Sequence, residues 1–349
     1  MEQSQYKKLW WQIPFLLFLV AGTVFIIRQQ HSVPYQKNSG FIFGTFYNVS
    51  YQCEENLQES IEAELKKVDR ALSMFNEESV ISRINRGEQL VDTTEEGRMF
   101  LDIFRQSLAI SAETDGAFDI TVAPLVNAWG FGFKSGMMPS AEQVDSILQF
   151  VGYDRVKCEQ TPGGVVVKKA DPRIMLDCSA IAKGYGTDVV ARYLEQKNVQ
   201  NFMVEIGGEV VTKGISPSRV PWRIGVTKPS DDTVAVSNEL QTVLNVTDRA
   251  MATSGNYRNY YYRNGHKYAH TIDPHTGHPV QHSLLSATVL ADNCAIADAY
   301  ATSFMVMGIE RAREVLEHHP ELMAYFIYSD AMGQLAVWYS PSLKDKIND

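Results

Sequence analysis

Cysteine is scarce in this chain and never closely paired. Four stand among 349 residues, Cys53, Cys158, Cys178 and Cys294, and no CxxC occurs. That excludes a cysteine zinc site and a disulfide framework. Basic charge is also short. Lys and Arg number 32 against 41 Asp and Glu, for a net charge of −9, which excludes binding driven by a nucleic-acid backbone. No Walker sequence is present and no GxGxxG follows a strand-like run, so the standard phosphate and dinucleotide loops are missing. Internal repeats and low-complexity linkers are absent too. What remains is ordinary globular composition, 45% hydrophobic and 21% charged. The length suits one large domain or two that share a core.

One long apolar run stands apart. Leu9 to Ile27 is nineteen residues in which Gln12 is the one strongly polar side chain. As a helix it would reach about 30 Å, the thickness of a hydrocarbon core. Lys7 and Lys8 precede it, Trp10 and Trp11 sit where an interfacial belt belongs, and Arg28 follows. No clear small-x-small cleavage site comes after it, so residues 1–35 read as an uncleaved signal anchor. The flanking lysines place it as a single pass of the inner membrane with the rest of the chain on the periplasmic, extracytoplasmic side. Residues 40–345 then form the working domain.

That domain alternates helical and strand patterns. Leu57, Ile61, Leu65, Val68, Leu72 and Phe75 recur at helical spacing and predict an amphipathic helix over 56–75. A second helix is expected over 95–114, stopped by Asp115-Gly116. A third starts at Ser140, with Gln143 as capping-box partner, and runs to Gly152. Further helices are expected near 180–197, 294–307 and 309–318. Strand-like runs fall at 164–168, 173–177, 202–206, 222–227, 284–290, 324–328 and 335–339. The pattern is α+β, with mixed and antiparallel sheets and packed helices.

Four segments carry chemistry: Asp115 to Leu125 with its continuation to Gly132, Leu176 to Tyr185, His270 to Pro279, and Ala297 to Thr302. Asp119 alone could do no more than cap a turn. Asp177 and Lys183 straddle an expected strand-to-helix turn, where Asp is a common cap but where backbone N–H groups and a lysine also suit phosphate. Asp298 and Thr302 are four apart and share a helical face among small apolar neighbours. A carboxylate buried there needs a partner. A hard cation such as Mg²⁺ would serve, and so would an internal hydrogen bond. Five histidines, His266, His270, His275, His278 and His282, fall within seventeen residues. Pro274, Gly277 and Pro279 break any helix that could align them, and no HExxH is present, which argues against a histidine metal site. His270, next to the rigid Ile272-Asp273-Pro274 turn, is the candidate general base.

Together these segments resemble the ApbE family, the FAD:protein FMN transferases. The resemblance covers about residues 40–340. It extends to Gly44-Thr45-Phe46-Tyr47, Ser73-Met74-Phe75, Ser82-Arg83-Ile84-Asn85, Gly207-Gly208 and Thr253-Ser254-Gly255-Asn256-Tyr257, all in the family's order. It implies FAD contacts at Phe43, Phe75, Ala117, Phe118, Asp119, Asp177, Lys183 and Ile272. It implies an Mg²⁺ site at Ala180, through its carbonyl, with Asp298 and Thr302. The implied reaction moves FMN from FAD to a Ser or Thr hydroxyl and releases AMP. The implied partners are flavoprotein subunits of Na⁺-translocating NADH:quinone reductase or Rnf-type complexes. Hydrolysis of FAD to FMN and AMP, and flavin binding without chemistry, are the alternatives. Three positions depart from the family pattern. Cys53 lies too far past the apolar run to be a lipidation cysteine. Ala301 stands where some relatives have a second Asp, and Phe75 where Tyr is common.

Overall fold

The computed structural model describes residues 3–30, 33–88, 94–132, 138–229, 239–256, 260–263 and 266–348. An eight-stranded sheet organises it. From one edge to the other run Tyr35–Ile42, Thr45–Gln52, Phe202–Ile206, Glu209–Lys213, Arg249–Gly255, Leu284–Ala291, Met323–Ser329 and Leu335–Tyr339. Every neighbouring pair is antiparallel. The order in space is the order in the chain, so each strand is laid beside its predecessor and the helices are insertions between them. A smaller sheet joins Trp222–Thr227, Leu240–Val246 and Ile347–Asn348. Two further ribbons pair Val156–Thr161 with Gly164–Lys169, and Tyr260–Arg263 with His266–Ala269.

The helices are α1 (Gln3–Gln30), α2 (Gln58–Leu72), α3 (Val80–Asn85), α4 (Glu95–Glu113), α5 (Ala123–Ala128), α6 (Ala141–Leu148), α7 (Ala182–Gln196), α8 (Cys294–Met307) and α9 (Ile309–His318). On α2 the buried residues are Ile61, Leu65, Val68, Ala71 and Leu72, one stripe at the helical period. In contrast, α8 is buried almost all round, from Cys294 through Met305. It lies against the strands Arg249–Gly255 and Leu284–Ala291 on one side and α7 on the other. Its small side chains permit that. A Cβ on Gly184 of α7 would stand 2.3 Å from the Cys294 carbonyl oxygen and 2.9 Å from the Cα of Ala295. The two backbones therefore touch where α8 begins.

One turn further along α7, Asp188 accepts the N–H groups of Cys294 at 2.8 Å and Ala295 at 2.9 Å. Asn293 accepts that of Ile296 at 2.9 Å. The first three amides of α8, which no helical carbonyl can reach, are all satisfied by side chains.

Several expectations from the sequence are corrected. Residues 173–177 are not a strand. Asn85 grips Leu176 on both sides, accepting its N–H at 2.8 Å and donating to its carbonyl at 2.9 Å, and the Asp177 N–H goes to the Ile120 carbonyl. A side chain and an isolated carbonyl replace the ladder. The helix beginning at the Ser140–Gln143 capping box ends at Leu148 rather than Gly152, because the Gly152 N–H is drawn to the Thr121 hydroxyl. The strands Tyr35–Ile42, Thr45–Gln52, Glu209–Lys213 and Arg249–Gly255 were not foreseen. Their apolar residues are few or interrupted by polar ones.

The N-terminal run is helical through α1, with Pro14 inside it. Its described side chains, residues 13–26, are largely exposed, with Phe15, Phe18 and Phe25 among the most open. Among the described residues no helix is long and apolar enough to cross a membrane. The side chains of Lys7, Lys8, Trp10, Trp11 and Arg28 lie outside the described residues.

The Asp188 clamp generates a test. Burial pushes its carboxyl from the ordinary 3.8 up to about 6, against the pull of its two backbone donors. A raised folded value means the native state holds the proton more tightly than the unfolded chain. That contribution is complete below about pH 4 and is lost as pH rises through about 6. Asp188→Asn is neutral throughout, so its stability should gain on wild type between pH 4 and pH 7, by on the order of 3 kcal/mol. Urea unfolding at the two pH values measures the gap, and a gap independent of pH would refute the assignment.

Candidate active site

A cavity of about 380 Å³ opens where the sheet, α8 and three loops meet, a size ordinary for a small-molecule site. Its first wall follows α4. That helix is stopped by Asp115 and Gly116, both at positive φ (51° and 76°), a turn that suits glycine. Ala117, Phe118 and Asp119 then line the cavity. The Asp119 carboxylate accepts the N–H and the hydroxyl of Thr121, each at 2.7 Å. Burial still pushes its carboxyl above the usual range. A side chain held this way presents a fixed acceptor to a ligand N–H or O–H.

The second wall is the segment entering α7. Asp177 does not cap that helix, since its N-cap position is Ile181. Instead Asp177 accepts from the N–H and hydroxyl of Ser179, at 2.7 and 2.5 Å. Dense packing pushes its carboxyl up, although the side chain reaches the cavity surface. Lys183 follows in the first turn of α7 and pairs with Glu209, Nζ to Oε1, at 2.5 Å. Burial works against the Lys183 charge, but the Asp298 and Glu209 carboxylates outweigh it and hold the ammonium above the ordinary lysine value. The same burial, reinforced by Asp298, pushes the Glu209 carboxyl up.

The third wall is α8. Asp298 is buried and accepts the Gly184 N–H at 3.1 Å. Thr302, one turn on, shares a hydrogen bond of 3.1 Å with the Ser254 hydroxyl. With Ala180, whose carbonyl the family resemblance implies as a ligand, they line one cavity. All three are hard oxygen donors. The buried Asp298 carboxyl, pushed up by burial and eased by Lys183 and the Gly184 amide, has capacity left for a cation. Donors of this chemistry would suit a hard cation such as Mg²⁺.

His270 and Ile272 close the cavity on the remaining side. The loop behind them is internally bonded. Val280 donates to the Thr271 carbonyl, Asp273 to that of His278, and Gly277 to that of Asp273. The Thr271 hydroxyl also reaches Asn256 at 2.6 Å. His270 meets the Phe131 ring edge-on at 6.4 Å between centroids. The other histidines disperse. His275 faces Asp273, His278 lies against Trp129, and His282 bonds the Met305 carbonyl. The side chain of His266 lies outside the described residues, as does Tyr257.

The chain matches a known family and several relatives. The ApbE family matches residues 43–326. The chain belongs to the ApbE family. Two relatives named FAD:protein FMN transferase are each 38% identical to it. The Haemophilus influenzae protein aligns over 83% of this chain and 85% of its own length, and the Vibrio cholerae protein over 86% and 88%. Among solved structures, the flavin transferase ApbE from Vibrio cholerae superposes with a TM-score of 0.78 at 35% identity. That match covers 90% of this chain and all of the other. The apo flavinyl transferase ApbE of Pseudomonas stutzeri gives 0.76 at 29% identity, over 90% and 96%.

Of the residues singled out in the sequence, Phe75, Ala117, Phe118, Asp119, Asp177, Ala180, Lys183, His270, Ile272, Asp298 and Thr302 all line the one cavity. Phe43 does not. It occupies the turn between the first two strands at φ 52°, and its ring covers α7 so closely that a Cβ on Gly186 would come within 2.6 Å. Phe75 is 77% exposed and stands at the rim. Glu209, Phe131, Asn127 and Met74 also line the cavity without having been picked out as site residues. For Glu209 the available signal was its place directly after Gly207-Gly208, a turn that re-aims a strand end.

Gly184 ties the second and third walls together. Gly184→Ala forces its Cβ into the Cys294 carbonyl, so it should destabilise the fold by about 3 kcal/mol. It should also move Asp298, whose partner is the Gly184 amide. The expected outcome is a lower urea midpoint together with weaker Mg²⁺ binding, read by isothermal titration. An unchanged midpoint would show that α8 can slide away from α7 at no cost.

Proposed function

We propose that this protein transfers FMN from FAD to a Ser or Thr hydroxyl of a flavoprotein subunit, with Mg²⁺, releasing AMP. It is a transferase of the ApbE family. The observation that carries the reading is convergence. Four segments remote in sequence bring oxygen donors, a half-buried lysine, a histidine on a braced loop and apolar walls to one cavity.

The residues divide the work. Phe118, Phe131 and Ile272 offer apolar surface to a flavin ring, and Phe75 covers it from the rim. Asp119 and Asp177 are fixed acceptors for the hydroxyl and N–H groups that FAD presents. Lys183 meets the pyrophosphate. Mg²⁺, held by the Ala180 carbonyl, Asp298 and Thr302, would neutralise charge on the phosphoryl group and the leaving phosphate. His270 takes the proton from the acceptor hydroxyl as its oxygen bonds the flavin-side phosphorus. The bond to the AMP phosphate breaks, and FMN stays on the acceptor as a phosphoester. A base held on a braced loop contributes roughly 10²–10⁴ in rate. The acceptors would be subunits of Na⁺-translocating NADH:quinone reductase or Rnf-type complexes. A domain on the periplasmic side of the inner membrane would meet them there.

Incubation with FAD, Mg²⁺ and an acceptor domain tests this. The acceptor should gain the mass of one FMN while AMP appears in equal amount. His270→Ala should slow transfer by about 10²-fold or more with FAD binding retained, as a residue acting in the transition state would. Asp298→Ala should abolish the Mg²⁺-dependent rate and reduce FAD binding only partly. Free FMN with an unmodified acceptor would make the protein a hydrolase, and a rate unaffected by EDTA would remove the metal from the reaction.

A further inference from the structure

Resting on that transfer reading, we propose that Glu209 is a positioning residue that locks the Lys183 ammonium in place, so that the substrate pyrophosphate meets a fixed cation and Asp298 stays free for the metal. The pair is asymmetric. The Glu209 side chain is 2% exposed and that of Lys183 is 32% exposed, so the carboxylate stands behind and the ammonium is the member that can face a ligand.

The sheet sets the position of Glu209. Gly207 and Gly208, at φ 63° and 106°, reverse the strand Phe202–Ile206 into Glu209–Lys213, with Ile206 opposite Glu209. The Gly207 amide is pinned to the Phe46 carbonyl at 3.0 Å. Lys183 comes instead from α7. Two independently braced elements thus fix one ion pair, and the four-carbon stem of the lysine loses the rotamer freedom that it would otherwise keep.

Lys183 also has two carboxylates to choose between. Its hydrogen bond goes to Glu209, while Asp298 takes the Gly184 amide. Without Glu209 the ammonium would turn to Asp298 and occupy the oxygen a cation needs. The arrangement is poor as a structural bridge. The second Glu209 oxygen, Oε2, is buried with no hydrogen-bond partner among the described residues, and a half-satisfied buried carboxylate costs stability.

The test is a double-mutant cycle on FAD binding, read by flavin fluorescence with Mg²⁺ present, using Lys183→Met and Glu209→Gln in the full chain. Each single change should weaken binding about tenfold, and the double variant should be no weaker than Lys183→Met alone. The melting temperature of Glu209→Gln should equal or exceed that of wild type, which separates positioning from folding. If Glu209→Gln fails to fold, Glu209→Asp replaces it, with a partial weakening that vanishes beside Lys183→Met. Effects that multiply in the double variant, or wild-type affinity in Glu209→Gln, would overturn the proposal. A wild-type protein that does not bind FAD would overturn the transfer reading and this inference with it.

Discussion

The site depends on two helices being allowed to touch. Gly184 lets the start of α7 rest on the first residues of α8, backbone against backbone. The same glycine donates its amide to Asp298, and Asp188 one turn later takes two amides of α8. Any side chain at 184 would part the helices. Because α8 is sandwiched between α7 and the sheet, its shift would carry Asp298 and Thr302 away from Lys183 and Ala180. A contact that exists for packing thus sets the geometry of the oxygen donors.

The charge pattern around that contact is costly. Asp119, Asp188, Glu209 and Asp298 are all buried carboxylates, and burial raises each of them. Lys183 answers two of them, and backbone amides or hydroxyls answer the rest. At Asp119, Glu209 and Asp298, a fold selected for stability alone would hold apolar side chains. Those three carboxyls line the cavity, and carboxyls raised by burial cluster at functional sites. In the proposed reaction a pyrophosphate and a divalent ion would bring the charges that offset that cost.

The chemistry-bearing motifs were legible in the sequence because each is local. Asp298 and Thr302 share a helical face by spacing alone, and the Ser140–Gln143 capping box and the heavily apolar stretch of α8 declare helices directly. The strands that frame the site were harder to see. Glu209–Lys213 buries the polar Glu209 and Thr212, and Arg249–Gly255 buries only the short run Ala250, Met251 and Ala252 between polar residues; single-strand periodicity holds no record of the neighbours that cover them. Residues 173–177 have strand-like composition, yet Asn85, some ninety positions earlier, takes both backbone hydrogen bonds of Leu176.

By itself the sequence determined the fold class, the positions of the main helices and the apolar N-terminal run, and eleven of the twelve residues singled out from it line the one cavity. Tertiary structure alone decided three things. It put Phe43 against α7 instead of in the cavity, it chose Glu209 rather than Asp298 as the lysine's hydrogen-bond partner, and it brought α7 and α8 into backbone contact at Gly184. The reason is the range of the interactions. Periodicity and capping act over a few residues and are written in local order. Ion pairing and close packing join groups 26 and 114 positions apart, and they exist only once the sheet has set the distances between them.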